Sequence, residues 1–223
     1  MEALRVKICG ISTQEDAGAA VRAGADALGF LVGLLYPSED QVTAEQAAEI
    51  IARLPPFVTP TLVTHRSQLA EVADLCRVAR PHVLQLHADF RLAEIPLLRR
   101  EFPHLKVIKA VHVDGPGAVE RAVAAAAYAD AVLLDTRTAT RIGGTGVTHD
   151  WAISRRVRDA LGERPIVLAG GLNPENVAAA IERVLPWAVD VNSGVSVRRG
   201  LKSPERMASF VRRAKRAPSH APA

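Results

Sequence analysis

The stretch from Ala131 to Gly146, AVLLDTRTATRIGGTG, joins an apolar run to a carboxylate and then to a glycine-rich loop. The run 131–134 predicts a buried strand, Asp135 ends it, and Gly143, Gly144 and Gly146 close the loop that follows. A charge at the end of a buried strand is costly unless it is paired or used. The glycines let backbone approach a ligand, or simply make a tight loop. On this stretch alone two readings of Asp135 stand level, a proton-transfer group and a cap for the next helix. A second reactive group, Cys9, closes an alternating segment near the start. A thiolate is a competent base, and its ordinary pKa near 8.5 is expected to fall beside a cation such as Lys7 or Lys109. Asp135 serves as a general acid only where its surroundings raise its pKa. A rise of ~3 units corresponds to ~4 kcal/mol, within reach of a group walled by Val132 to Leu134 and close to a thiolate. As a pattern alone, Cys9 fits a small core hydrophobe slightly better.

Two further loops follow apolar runs, Ala169-Gly170-Gly171-Leu172 and Asn192-Ser193-Gly194-Val195. Backbone N–H groups in such loops, with a short helix start, can point at an anion, so Gly170, Gly171, Ser193 and Gly194 are candidate phosphate contacts. His87 orients a substrate or an acid, or is a satisfied rim histidine. Lys7 and Asp190 suit an interior ion pair, and Cys76, among Leu69, Val72, Ala73 and Val78, suits the core.

The elements that must position these residues alternate throughout. Apolar runs and alternation predict strands over 5–9, 27–32, 61–64, 83–87, 106–111, 131–135, 166–169 and 189–192. Helical spacing and capping residues predict helices over 14–23, 43–54, 67–79, 92–102, 118–129, 149–161, 174–184 and 204–215, the seventh opening on Pro174. Shared among eight units, 223 residues give about 28 each, close to the ~30 of a strand-helix-strand unit and within the range of a (β/α)8 barrel. The reading is therefore α/β, a (β/α)8 TIM barrel in a single domain over 1–216, with 217–223 a disordered tail. An open doubly wound sheet is the alternative, against which eight repeats without a linker argue for closure. Alternation turns Val6, Ile8, Leu84, Leu86, Val132, Leu134, Val189 and Val191 outward. It turns Lys7, Cys9, Gln85, His87, Asp135, Asp190 and Asn192 inward, a polar set unlike a purely structural barrel core.

Composition sets the class. The chain is 48% hydrophobic and 23% charged, with 4% aromatic residues, as for a globular α/β protein with one sizeable core. Its net charge of +4 comes from scattered Lys and Arg without aromatic interleaving, which opposes a nucleic-acid partner and suits an anionic substrate. Two cysteines, no apolar leader in MEALRVKICG and no membrane-length apolar stretch point to the cytoplasm, with no membrane partner.

Taken together, Lys7-Ile8-Cys9-Gly10, Gln85-Leu86-His87, Leu133-Leu134-Asp135 with Gly143-Gly144-Thr145-Gly146, Leu168 to Asn173, and Asp190 to Val195 with Gly200 and Lys202 resemble the phosphoribosylanthranilate isomerase family of tryptophan biosynthesis. The resemblance covers nearly the whole chain, in order. It implies an enzyme that needs no cofactor and no metal and that carries out an Amadori rearrangement of N-(5-phosphoribosyl)anthranilate to the 1-(2-carboxyphenylamino)-1-deoxyribulose 5-phosphate. It further implies Cys9 as general base, Asp135 as general acid, a small anionic phosphosugar substrate touched by Lys7, His87, Gly143 and Gly144, and a phosphate held at Gly170, Gly171, Ser193 and Gly194. The chain departs from the family after its second strand. Leu34 to Gln41 carries Glu39 and Asp40 where the family has a Ser-Pro-Arg type segment whose arginine pairs with the anthranilate carboxylate. Arg66, Arg137 or Arg141 is the expected substitute. Ala88 and Asn192, where the family favours Gly and Ser, are milder departures. The alternatives are a sister isomerase with another aglycone, motivated by that loop, and a non-catalytic barrel that binds a phosphometabolite.

Overall fold

The structure is a computed structural model that describes residues 4–138, 141–142, 148–198 and 200–218. The loop glycines Gly143 and Gly144, and the expected tail from residue 219 on, lie outside the described residues. Eight parallel strands close on themselves: β1 Arg5–Cys9, β2 Ala27–Leu31, β3 Thr59–Thr64, β4 Val83–Leu86, β5 Lys106–His112, β6 Ala131–Asp135, β7 Ile166–Leu168 and β8 Ala188–Val191. Each strand pairs with its neighbours in sequence, and β1 pairs with both β2 and β8. The barrel and its eight alternating helices match the fold expected from the sequence.

The helices are α1 Gln14–Ala23, α2 Ala44–Ile51, α3 Leu69–Ala79, α4 Ile95–Glu101, α5 Ala118–Ala126, α6 Trp151–Leu161, α7 Val177–Val184 and α8 Pro204–Arg216. Local chemistry fixes their ends. The Thr43 hydroxyl accepts from the Gln46 N–H while the Gln46 side chain accepts from the Thr43 N–H, so both orphan donors at the start of α2 are satisfied. Pro174 does not open α7 as the sequence suggested. The Asn173 side chain accepts from the N–H groups of Glu175 and Asn176, and this turn competes with the first helical turn, so the helix starts at Val177. β5 runs one residue further than expected, which sets His112 beside Asp135 in register.

Alternation sorts the core into two layers. Val6, Ile8, Leu84, Leu86, Val132, Leu134, Val189 and Val191 pack outward against helix residues such as Ala20, Val72, Leu98 and Phe210. Inside the barrel, Ala110, Leu133, Val167, Ala169 and Ala188 make a small apolar cluster with Ile108 against it. A second apolar cluster of Cys9, Leu31 and Val63 lies toward the mouth, and between them the inner face is polar, with Lys7, Gln85, His87, Asp135 and Asp190 all buried. A small antiparallel ribbon, Ser196–Arg198 with Leu201–Lys202, follows β8 and carries Lys202 back to the barrel mouth.

Candidate active site

A cavity of about 460 Å³ opens at the C-terminal ends of the strands. Cys9, His87, Asp135, Gly170, Gly171 and Ser193 line it, together with Gln85, Asp190, His65, Asn192, Glu39 and Asp40. This is the end of a (β/α)8 barrel where chemistry is done. Of the remaining candidates, Lys7 lies buried in the barrel between Asp190 and Gln85, 3.0 Å from a carboxylate oxygen of one and 3.0 Å from the carbonyl oxygen of the other. Gly194 sits behind the wall, where a Cβ would run into the Leu172 carbonyl, so the loops after β7 and β8 touch through a residue that has to be glycine. Gly170 adopts φ +78°, and a Cβ there would stand 2.7 Å from the Thr136 nitrogen and 3.1 Å from Asp135 Oδ1. The phosphate candidates and the carboxylate are thus adjacent.

Arg66 is placed elsewhere. It lines the neighbouring depression beside Gly33, half in solvent, with Nη1 4.0 Å from Glu71 Oε1. The side chains of Arg137 and Arg141 lie outside the described residues. The acid in the loop after β2 has its own cation: Asp40 is buried, and Lys202 Nζ stands 3.6 Å from its Oδ2. Lys202 also donates to the Asn192 carbonyl at 3.2 Å and to the Asn192 side-chain oxygen.

The proton positions correct two expectations. Burial pushes the Cys9 thiol up to about 11, against the opposing pull of Lys7, instead of letting the cations lower it. The cations that act on Cys9 are Lys7 and Lys202; Lys109 donates to the carbonyls of Ala88 and Ala110. Asp135 moves the other way. Burial pushes its carboxyl up, but the hydrogen bond from His87 Nε2 at 3.1 Å, the positive charge His87 carries when protonated, the Thr136 N–H at 2.8 Å and the charge of a protonated His112 outweigh it. The net effect holds Asp135 below the usual carboxylate range, ionised, where the acid role called for a raised value.

Four histidines act on this carboxylate: His87, His112, His65 and His149, the last bonded to Thr136 Oγ1 at 3.1 Å. The His87 ring lies 5.3 Å from that of His65 and 5.5 Å from that of His112. Burial pulls His65 down to about 4, so it is neutral, and its Nδ1 accepts the Leu35 N–H at 3.3 Å. His65 and His112 were not singled out from sequence. Their signal was positional, since each stands at the end of β3 or β5 as His87 stands after β4 and Asp135 ends β6. His87, His112 and Asp135 bring one ligand atom each within 4.8 Å of one another, the metal-compatible group found among the described residues. The cavity sets two groups able to carry a proton, Cys9 and Asp135, beside the glycine-rich loops after β7 and β8.

Residues 6–213 match the family described as N-(5'-phosphoribosyl)anthranilate (PRA) isomerase. The N-(5'-phosphoribosyl)anthranilate isomerase 2 of Methanosarcina mazei is 40% identical over 214 residues, covering 95% of this chain and 94% of that protein. The crystal structure of the phosphoribosyl anthranilate isomerase of Thermotoga maritima superposes with a TM-score of 0.83 at 39% identity, over 95% of this chain and 98% of that one. A phosphoribosyl anthranilate isomerase in complex with reduced 1-(o-carboxyphenylamino)-1-deoxyribulose 5-phosphate superposes with a TM-score of 0.79 at 37% identity, over 95% and 98% of the two chains.

Proposed function

The chain belongs to the N-(5'-phosphoribosyl)anthranilate isomerase family, and from that premise we propose that it isomerises N-(5'-phosphoribosyl)anthranilate in tryptophan biosynthesis, with Asp135 as general acid and Cys9 as general base. The observation that carries this reading is that Cys9 and Asp135 line one cavity beside Gly170, Gly171 and Ser193. The phosphate rests on those loops, and the sugar reaches across the mouth toward Cys9.

The chemistry needs one acid and one base. Asp135 gives its proton to the ring oxygen of the ribose as the bond from that oxygen to C1 breaks, and the amine lone pair closes a C=N bond. Cys9 removes the C2 proton; the freed pair forms C1=C2 and the C=N pair returns to nitrogen, leaving an enolamine. Moving the proton of the C2 hydroxyl to C1 then gives the ketone. Atoms balance within the substrate, and no oxidant or reductant enters. In the unliganded site the proton sits on Cys9 and the charge on Asp135. The bound phosphate dianion beside Gly170 favours the reverse arrangement, because a second negative charge near a buried carboxylate raises its proton affinity.

Among the described residues no helix is long and apolar enough to cross a membrane. A reaction that consumes an ionised phosphosugar, together with the cysteine usage, suits the cytoplasm. The test is turnover of freshly generated N-(5'-phosphoribosyl)anthranilate, followed by loss of its fluorescence, in the wild type, Cys9→Ala and Asp135→Asn. Each variant is expected to lose roughly 10² to 10⁴ in kcat. Wild-type turnover in either would remove the mechanism.

A further inference from the structure

A run of hydrogen bonds crosses the barrel beneath the cavity, and its donors and acceptors can be assigned from one end. An ammonium only donates, so the Gln85 atom 3.0 Å from Lys7 Nζ is the carbonyl oxygen. The other end of that amide, Nε2, only donates, and it lies 3.2 Å from His87 Nδ1. Nδ1 therefore presents its lone pair, the ring proton sits on Nε2, and Nε2 donates to Asp135 Oδ2 at 3.1 Å. We infer that Gln85 is a positioning residue that fixes His87 as the neutral Nε2–H tautomer and through it holds the Asp135 carboxyl ready for a proton.

This inference rests on the acid role of Asp135. A doubly protonated His87 would form an ion pair with Asp135 and lock it as a carboxylate. A neutral donor orients the same oxygen with a smaller electrostatic hold, so the carboxylate can accept a proton when the substrate anion arrives. A proton on His87 Nδ1 would face the Gln85 amide hydrogens, and Gln85 cannot rotate to accept it without taking its oxygen from Lys7. Asp190, 3.0 Å from Lys7 Nζ, anchors the far end. The other titratable groups facing His87 are His65 and His112, both in ring contact, Asp135 itself and, further off, Asp190. The same assignment opposes a metal at His87, His112 and Asp135. A cation on His87 Nε2 would have to move the ring proton to Nδ1, against the Gln85 amide.

The test is Gln85→Glu, which keeps the shape and removes the donor. A carboxylate at this position accepts from Lys7 and from His87 alike, so it draws a proton onto Nδ1. In protein with 15N-labelled histidine, the wild-type His87 is expected to show a bare Nδ1 and a protonated Nε2 at neutral pH, and the variant two protonated nitrogens. The kcat should fall at least about tenfold with KM nearly unchanged; loss of tautomer control in a serine-protease triad costs up to ~10⁴. Gln85→Met, which removes the donor without adding charge, should give mixed tautomers and a smaller loss, and carries the same decision should the glutamate variant fail to fold. A protonated Nδ1 in the wild type overturns the inference. So does wild-type kcat in both variants while Asp135→Asn is inactive. Full activity in Asp135→Asn would instead overturn the acid role, and the nitrogen shifts would still decide the tautomer.

Discussion

Replacing Lys7 by Met asks whether charge or packing holds the barrel interior together. Lys7 and Asp190 lie 3.0 Å apart, with side chains only 5% and 8% exposed. Met follows the lysine stem and fills similar space, so the change is chiefly electrostatic. It leaves Asp190, whose Oδ1 already has no hydrogen-bond partner among the described residues, without its counter-ion, and it takes the donor from Gln85. Removing one partner of a buried pair costs ~3–5 kcal/mol. For a chain of this size that corresponds to a fall in Tm of roughly 6–20 °C, at about 2–4 °C per kcal/mol. Burial works to discharge Lys7, but Asp190 outweighs it and holds the ammonium above its ordinary 10.5. The lysine's contribution is therefore fully present below that value and is lost as the pH climbs through the higher folded one, whereas burial outweighs Lys7 at Asp190 and raises that carboxyl, so its charge costs stability above its ordinary 3.8. Urea unfolding followed by circular dichroism should show a penalty constant from pH 6 to 9 and shrinking above about 10.5. Lys7→Met with Asp190→Leu should regain most of it, since an apolar pair replaces a buried ion pair at little cost. A single variant within ~1 kcal/mol of the wild type at pH 7, or a loss the double variant does not relieve, would refute the reasoning.

Two further outcomes follow from the site. With Cys76 replaced by Ser, alkylation of Cys9 by iodoacetamide should rise about tenfold per pH unit from pH 7, levelling only near the pKa of about 11 that burial gives it; a plateau at pH 8 to 9 would show that Lys7 and Lys202 prevail over burial. Gly194→Ala drives a methyl into the Leu172 carbonyl, with Asn173 Cα 3.0 Å away, and should cost ~1–3 kcal/mol of stability while weakening inhibition by inorganic phosphate. Unchanged inhibition there would detach the loop after β8 from the phosphate site.

Periodicity made the architecture legible, because eight inward and outward patterns each depend on residues two apart, and the packing obeys them from Val6 and Ile8 to Val189 and Val191. Strand ends were legible for the same reason, so Cys9 and Asp135 converge as expected. Distances across the barrel were not. Nothing in the order of residues tells that Lys202, on a ribbon after β8, reaches Asp40 in the loop after β2. Nor does it tell that Arg66, one residue past His65, points to a different depression. The charge states failed for a related reason. A sequence shows which cations are near in number, such as Lys7, but not how much water the fold removes, and at Cys9 the lost water decides the direction.

That same balance makes the substrate part of the catalytic apparatus. Burial raises the proton affinity of Cys9 while the bonds to Asp135 lower its own, so the unliganded pair favours thiol and carboxylate over the thiolate and acid that the proposed reaction uses. On the proposed mechanism the proton crosses from Cys9 to Asp135 within the complex. The geometry favours that crossing at both ends. A phosphate on Gly170 and Gly171 sets negative charge beside Asp135, while Lys7 and Lys202 remain to stabilise the thiolate once water is excluded. A neutral His87 is what allows the first half, since it orients the carboxylate without tying it to a full positive charge.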